Sequence, residues 1–76
     1  MDVYENIERL RKAKGITKTR MAHSLGISLM GYVHLSKGHV RLDVDRMIAI
    51  GAILEVDPAI FLDNELTDSV IYQHGK

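Results

Sequence analysis

The stretch TKTRMAHSLGISLMGYVHLSKG, residues 17–38, decides how this chain folds. Met21, Ala22 and Leu25 share one face of a helix beginning at Lys18, behind Thr17, whose hydroxyl suits an N-cap. Gly26 follows, able to take the positive φ that ends a helix. Ser28 is placed to cap a second helix over 29–37, with Tyr32 and Leu35 facing inward and Gly38 beyond its end. Gly31, Tyr32 and Val33 are poor helix formers, and read in isolation this segment passes for a strand. The flanking caps and the spacing of Tyr32 and Leu35 favour a helix.

Outward from this pair, the N-terminal segment reads as a helix over 3–14. Val3, Ile7 and Leu10 recur at helical spacing, acids come early and bases late in keeping with the helix dipole, and Gly15 ends it. Ile16 is expected to fold back onto the core. On the other side, 39–42 is a connection, and a further helix begins at Asp43 or Asp45. Its apolar set, Val44, Met47, Ile48, Ile50, Gly51 and Leu54, is wide enough to predict a central, mostly buried element. Gly51 removes a side chain where another helix is expected to approach closely. Asp57 and Pro58 start a short helix, and Ile60, Phe61 and Leu62 are expected to close the core. Beyond Asp63 the chain is polar and acidic except for Leu66 and the Val70-Ile71-Tyr72 cluster. Such a segment frays unless those apolar residues pack on the domain or on a second subunit.

Seventy-six residues make a single domain. With no cysteine, disulfides and thiolate metal sites are excluded. No apolar run of membrane-spanning length and no signal segment is present, so a soluble, cytoplasmic protein without membrane contact is expected. The formal net charge is zero, yet it is unevenly distributed. Residues 1–46 carry nine Lys and Arg against five acids, for +4, and residues 47–76 carry −4. The basic part suits phosphates.

The four histidines, His23, His34, His39 and His74, lack metal-ligand spacing, and no phosphate-loop, dinucleotide or nucleophile-elbow pattern occurs. Asp43 and Asp45 flank a helix start, where capping explains them better than acid–base chemistry. No enzyme activity, cofactor or metal is expected.

From Leu10-Arg11-Lys12-Ala13-Lys14-Gly15-Ile16-Thr17 onward, the chain resembles the Cro/repressor helix-turn-helix family, the phage-repressor and XRE type. Met21-Ala22, Leu25-Gly26-Ile27-Ser28, Leu35, Lys37-Gly38, Ile50, Leu54, Val56 and Phe61-Leu62 continue the match without a gap. The resemblance implies an all-α, compact, five-helix, lambda-repressor-like domain over 1–63, with 64–76 as a C-terminal tail that is flexible or used in dimerisation. It also implies a repressor-type transcriptional regulator, binding double-stranded DNA as a homodimer at the nucleoid of a bacterial or phage-infected cell.

By position, the family's base-reading residues fall on Leu29, Met30, Val33 and His34. Its phosphate contacts fall on Lys18, Lys37, His39 and Arg41, assisted by Ser28. Four positions depart from the family pattern. The reading positions are apolar where Gln, Arg, Ser, Thr or Asn are common. Lys18 replaces a common Gln, and Glu55 replaces the glycine usual before Val56. Ser36 replaces the acid that pairs with the helix-1 arginine, which leaves Arg11 without that partner. The apolar positions also admit an alternative: a protein-interaction module on the same scaffold, an antirepressor or the partner of another regulatory protein, using Leu29, Met30 and Val33.

Overall fold

The computed structural model describes residues 2–74; residues 75 and 76, at the end of the expected tail, lie outside it, as does the side chain of His74. The described chain is all-helical: α1 (Val3–Ala13), α2 (Lys18–Leu25), α3 (Leu29–Ser36), α4 (Val44–Leu54), one 3₁₀ turn (Pro58–Ile60) and α5 (Asn64–His74). Each start is fixed by a side-chain oxygen that takes an otherwise orphaned N–H. Asp2, Thr17, Ser28, Asp43 and Asp63 accept from the amide three residues on, and Asp57 accepts from Ala59. The bounds expected for the first and third helices shorten by one residue, because Lys14 and Lys37 are caps.

Helices α1 to α4 end by one device. A left-handed residue closes each, and the next amide reaches back to a carbonyl five residues earlier, as in Ile27 N–H to Ala22 O at 3.0 Å. Glycine occupies that left-handed position after α1, α2 and α3, but after α4 it is Glu55, at φ 59°. A Cβ there costs about 1–2 kcal/mol. Glu55→Gly should therefore stabilise the domain by about 0.5–1 kcal/mol, after allowing for the greater freedom of glycine in the unfolded chain. A thermal melt followed by circular dichroism should rise by roughly 3–6 °C. An unchanged or lower Tm would show that this residue is unstrained.

The core joins Ile7 and Leu10 of α1 to Ile16, Met21 and Ala22, Tyr32 and Leu35, Ile50 and Leu54, and Phe61, all buried. Helix α2 packs on α3 and α4, and α1 packs on α3 and α5. Gly51 is needed because a Cβ there would lie 2.8 Å from the Val56 carbonyl oxygen and 3.1 Å from the Pro58 ring. The close approach at this glycine is thus made not by another helix, as expected, but by the turn that follows its own.

Several expectations change. Helix α4 is less buried than its composition suggested, since Val44 and Ile48 project outward at 64% and 57% exposure. They lie on the side of the helix away from Ile50 and Leu54, because the apolar set was wider than the face the core can cover. Of the three residues expected to close the core, Phe61 is buried and Ile60 is half-buried, but Leu62 is exposed. The short helix at Pro58 is a single 3₁₀ turn.

The segment after Asp63 forms α5, with Thr67 buried and Val70 and Ile71 packed against the core. Polar bonds hold it there. Buried Asn6 donates to Phe61 O at 3.1 Å and to Asn64 Oδ1 at 2.9 Å, and Thr67 donates to Ile60 O at 2.6 Å. Arg9 pairs with Asp68 farther along both helices. The contacts 6 to 64 and 9 to 68 advance together, so α1 and α5 run parallel. The Arg9–Asp68 pair also links the basic and acidic parts of the chain.

Candidate nucleic-acid interface

Helices α2 and α3 meet across Gly26 at φ 70°, with half-buried Ile27 below the turn. The hydroxyl of Ser28 accepts from Gly31 N–H at 2.9 Å, and a Cβ at Gly31 would press on that oxygen at 3.1 Å. The glycine that weakens helix propensity thus leaves room for the cap. With Tyr32 and Leu35 buried, tertiary packing settles the segment as helix rather than strand.

Packing those two residues inward leaves the first half of α3 facing solvent. Leu29 is 48% and Met30 63% exposed, Val33 is half-buried and His34 is exposed. Lys18, Ser28, Lys37, His39 and Arg41 are exposed as well. Lys18, Lys37 and Arg41 take part in no ion pair among the described residues. His34 and His39 meet edge to face, with ring centroids 5.9 Å apart. Among the nine residues singled out from the sequence, these two meet through their rings, and the Lys37 amide donates to Val33 O at 3.2 Å.

The segment holding Lys37, His39 and Arg41 is positioned by a residue the sequence reading left unassigned. Tyr4, on α1, donates its hydroxyl to the Val40 carbonyl at 3.0 Å, and its ring lies against Gly38. A tyrosine beside an apolar stripe is a signal for such a role, but its partner lies 36 residues away and leaves no local trace.

Arg11 is also positioned differently from expectation. It has a partner, Glu8, one helical turn earlier, with nitrogen–oxygen distances of 2.8 and 3.1 Å. It also donates to Ile16 O at 2.7 Å, holding the corner before α2. Glu8 accepts in turn from the Tyr32 hydroxyl at 2.6 Å, which ties α1 to α3. The Glu–Arg spacing of three residues was the available signal.

Burial pushes the Glu8 carboxyl up. Hydrogen bonds from Arg11 and Tyr32, with the charges of Arg11 and Lys18, outweigh that and hold it below the usual carboxylate value. Glu8 raises Arg11, and burial together with Glu8 raises Tyr32.

A cleft of about 170 Å³ is lined by Lys14, Ile16, Arg20, Ile53, Leu54 and Glu55. Its volume is below the roughly 300 Å³ at which small-molecule pockets begin. Among the described residues, no three His, Asp or Glu side chains converge as a metal site would require, and no helix is long and apolar enough to cross a membrane.

Comparison with known proteins gives two matches. A family model described as "Helix-turn-helix" fits residues 7–61. A protein of Bacillus subtilis (strain 168), named "Uncharacterized HTH-type transcriptional regulator YqaE", is 32% identical over 72 residues. That match takes in 95% of this chain and 62% of the relative, so the chain spans about three-fifths of the curated relative's length. No solved structure matches.

Proposed function

The chain belongs to the helix-turn-helix family, of the Cro/repressor (XRE) type, and from that premise we propose that it is a repressor-type regulator of transcription that binds double-stranded DNA. Helix α3 enters the major groove, and Leu29, Met30, Val33 and His34 face the bases. Lys18, Lys37, His39 and Arg41 meet the phosphates on either side, with Ser28 at the helix start. The observation that carries this reading is the exposed first half of α3, together with exposed Lys18, Lys37 and Arg41, which take part in no ion pair among the described residues. The protein acts as a homodimer on two half-sites roughly 34 Å apart. The exposed pair Val44 and Ile48, one turn apart on α4, supports a second subunit packing there.

The test is fluorescence anisotropy with a labelled random 30-bp duplex pool, in 50 and 200 mM salt, alongside sedimentation equilibrium for the dimer mass. Each phosphate contact contributes about −0.9 to the slope of log affinity against log salt. Lys18, Lys37 and Arg41 thus predict a slope near −3 per protomer, and Lys37→Ala should flatten it by about one on every sequence. No binding at 50 mM salt would reject the proposal.

The exposure of Leu29 and Met30 also favours a second reading, in which this face binds another regulatory protein. Under that reading, Leu29→Asp with Met30→Asp would abolish co-purification of a repressor-like partner. Retention of the complex would exclude the surface.

A further inference from the structure

Base pairs in the major groove are told apart by hydrogen-bond donors and acceptors and by one apolar feature, the C5-methyl group of thymine. The face that α3 presents holds almost nothing that reads the first kind of signal. Leu29 and Met30 are exposed, Gly31 has no side chain, and Val33 beside them is aliphatic. The Ser28 hydroxyl oxygen accepts from the Gly31 amide at the helix start, which leaves exposed His34, edge to face with His39, as the main hydrogen-bonding side chain among the four reading positions.

Lys18 opens α2, Lys37 caps the end of α3 and Arg41 lies in the segment beyond it, all exposed and without ion-pair partners among the described residues. An apolar helix face accompanied by exposed cations before and after it in the chain complements a groove floor carrying methyl groups between two phosphate backbones. We infer that Leu29 and Met30 recognise the C5-methyl groups of pyrimidines in double-stranded DNA, so that sequence preference is carried by methyl position. This rests on the DNA-binding reading and specifies what that site selects. Two bases supply the same chemistry, thymine and 5-methylcytosine, and the flexible thioether of Met30 can follow either.

The experiment uses the full chain and the random 30-bp duplex pool. Sequences enriched by binding are resynthesised in three forms: with thymine, with uracil in its place, and with every cytosine methylated at C5. Uracil pairs as thymine does but lacks the methyl. Each lost methyl should weaken binding about four-fold. Leu29→Ala with Met30→Ala should erase the difference between thymine and uracil forms. An unchanged thermal melt would confirm that the variant folds.

Weaker binding of the uracil form with no gain on cytosine methylation assigns the contact to thymine. Tighter binding of the methylated form assigns it to 5-methylcytosine. Equal affinity for all three forms overturns this inference while leaving DNA binding intact. Failure to bind any duplex overturns both it and the regulator reading.

Discussion

Leu54→Ala should lower the urea midpoint of unfolding by about 2 M or more. Leu54 is fully buried on α4, in the same cluster as Met21, Ile50 and Phe61. Truncation to alanine removes its transfer energy and leaves a cavity that a rigid helix cannot fill, for a combined cost of about 2–5 kcal/mol. At roughly 0.05–0.15 kcal/mol per residue, a domain of 76 residues has only about 4–11 kcal/mol to lose. With a slope near 1 kcal/mol per molar urea, the midpoint should fall in proportion. A shift of only a few tenths molar would mean that α4 sits in a different rotation against the core.

Glu8→Ala is the second large effect, expected to cost about 3–5 kcal/mol. The substitution leaves the Arg11 guanidinium, 8% exposed as a side chain, with only the Ile16 carbonyl, and it strips the Tyr32 hydroxyl of its acceptor. An isolated buried cation is far more costly than the intact pair is favourable. Glu8→Gln should fall between, because its amide oxygen still accepts from Tyr32 while the charge is gone.

The pH dependence follows from the lowered carboxyl. Its contribution is complete above about pH 4.3, the ordinary unfolded value, and is lost as pH falls through the lower folded value. Urea melts from pH 7 down to 2.5 should show wild type losing stability more steeply than Glu8→Gln on the acid side. Parallel acid limbs would remove Glu8 from the account.

What could be read beforehand divides by the range over which each signal acts. Caps and turns act over three to five residues, so Thr17, Gly26 and Ser28 identify α2 and α3 unaided. The core positions Met21, Tyr32, Leu35, Ile50, Leu54 and Phe61 follow from helical spacing and are buried. Helix α5 was hidden because its docking runs through polar residues, Thr67 on its own face and Asn6 on α1, which periodicity counts as surface. Val44 and Ile48 were misjudged for the converse reason, since an apolar residue carries no mark of which face the core will cover. At the interface, positions were legible from the family resemblance, while the means of holding them were not. The Tyr4–Val40 bond depends on how the chain returns upon itself, and the His34–His39 ring contact on side-chain placement about the turn at Gly38.

The place of the Arg11 partner has a consequence for how this protein can be measured. An acid at position 36 would lie 25 positions along the chain from Arg11, whereas Glu8 meets Arg11 as soon as one turn of α1 has formed, with almost no loop to close. The joint between α1 and α3 is therefore left to an uncharged donor, the Tyr32 hydroxyl, beside a pair already shielded from solvent. Mobile ions screen exposed charges and hardly reach buried ones. Ionic strength thus acts on exposed Lys37 and Arg41 while the buried hydrogen bonds of the joint persist, and a salt titration of this protein reads chiefly its surface.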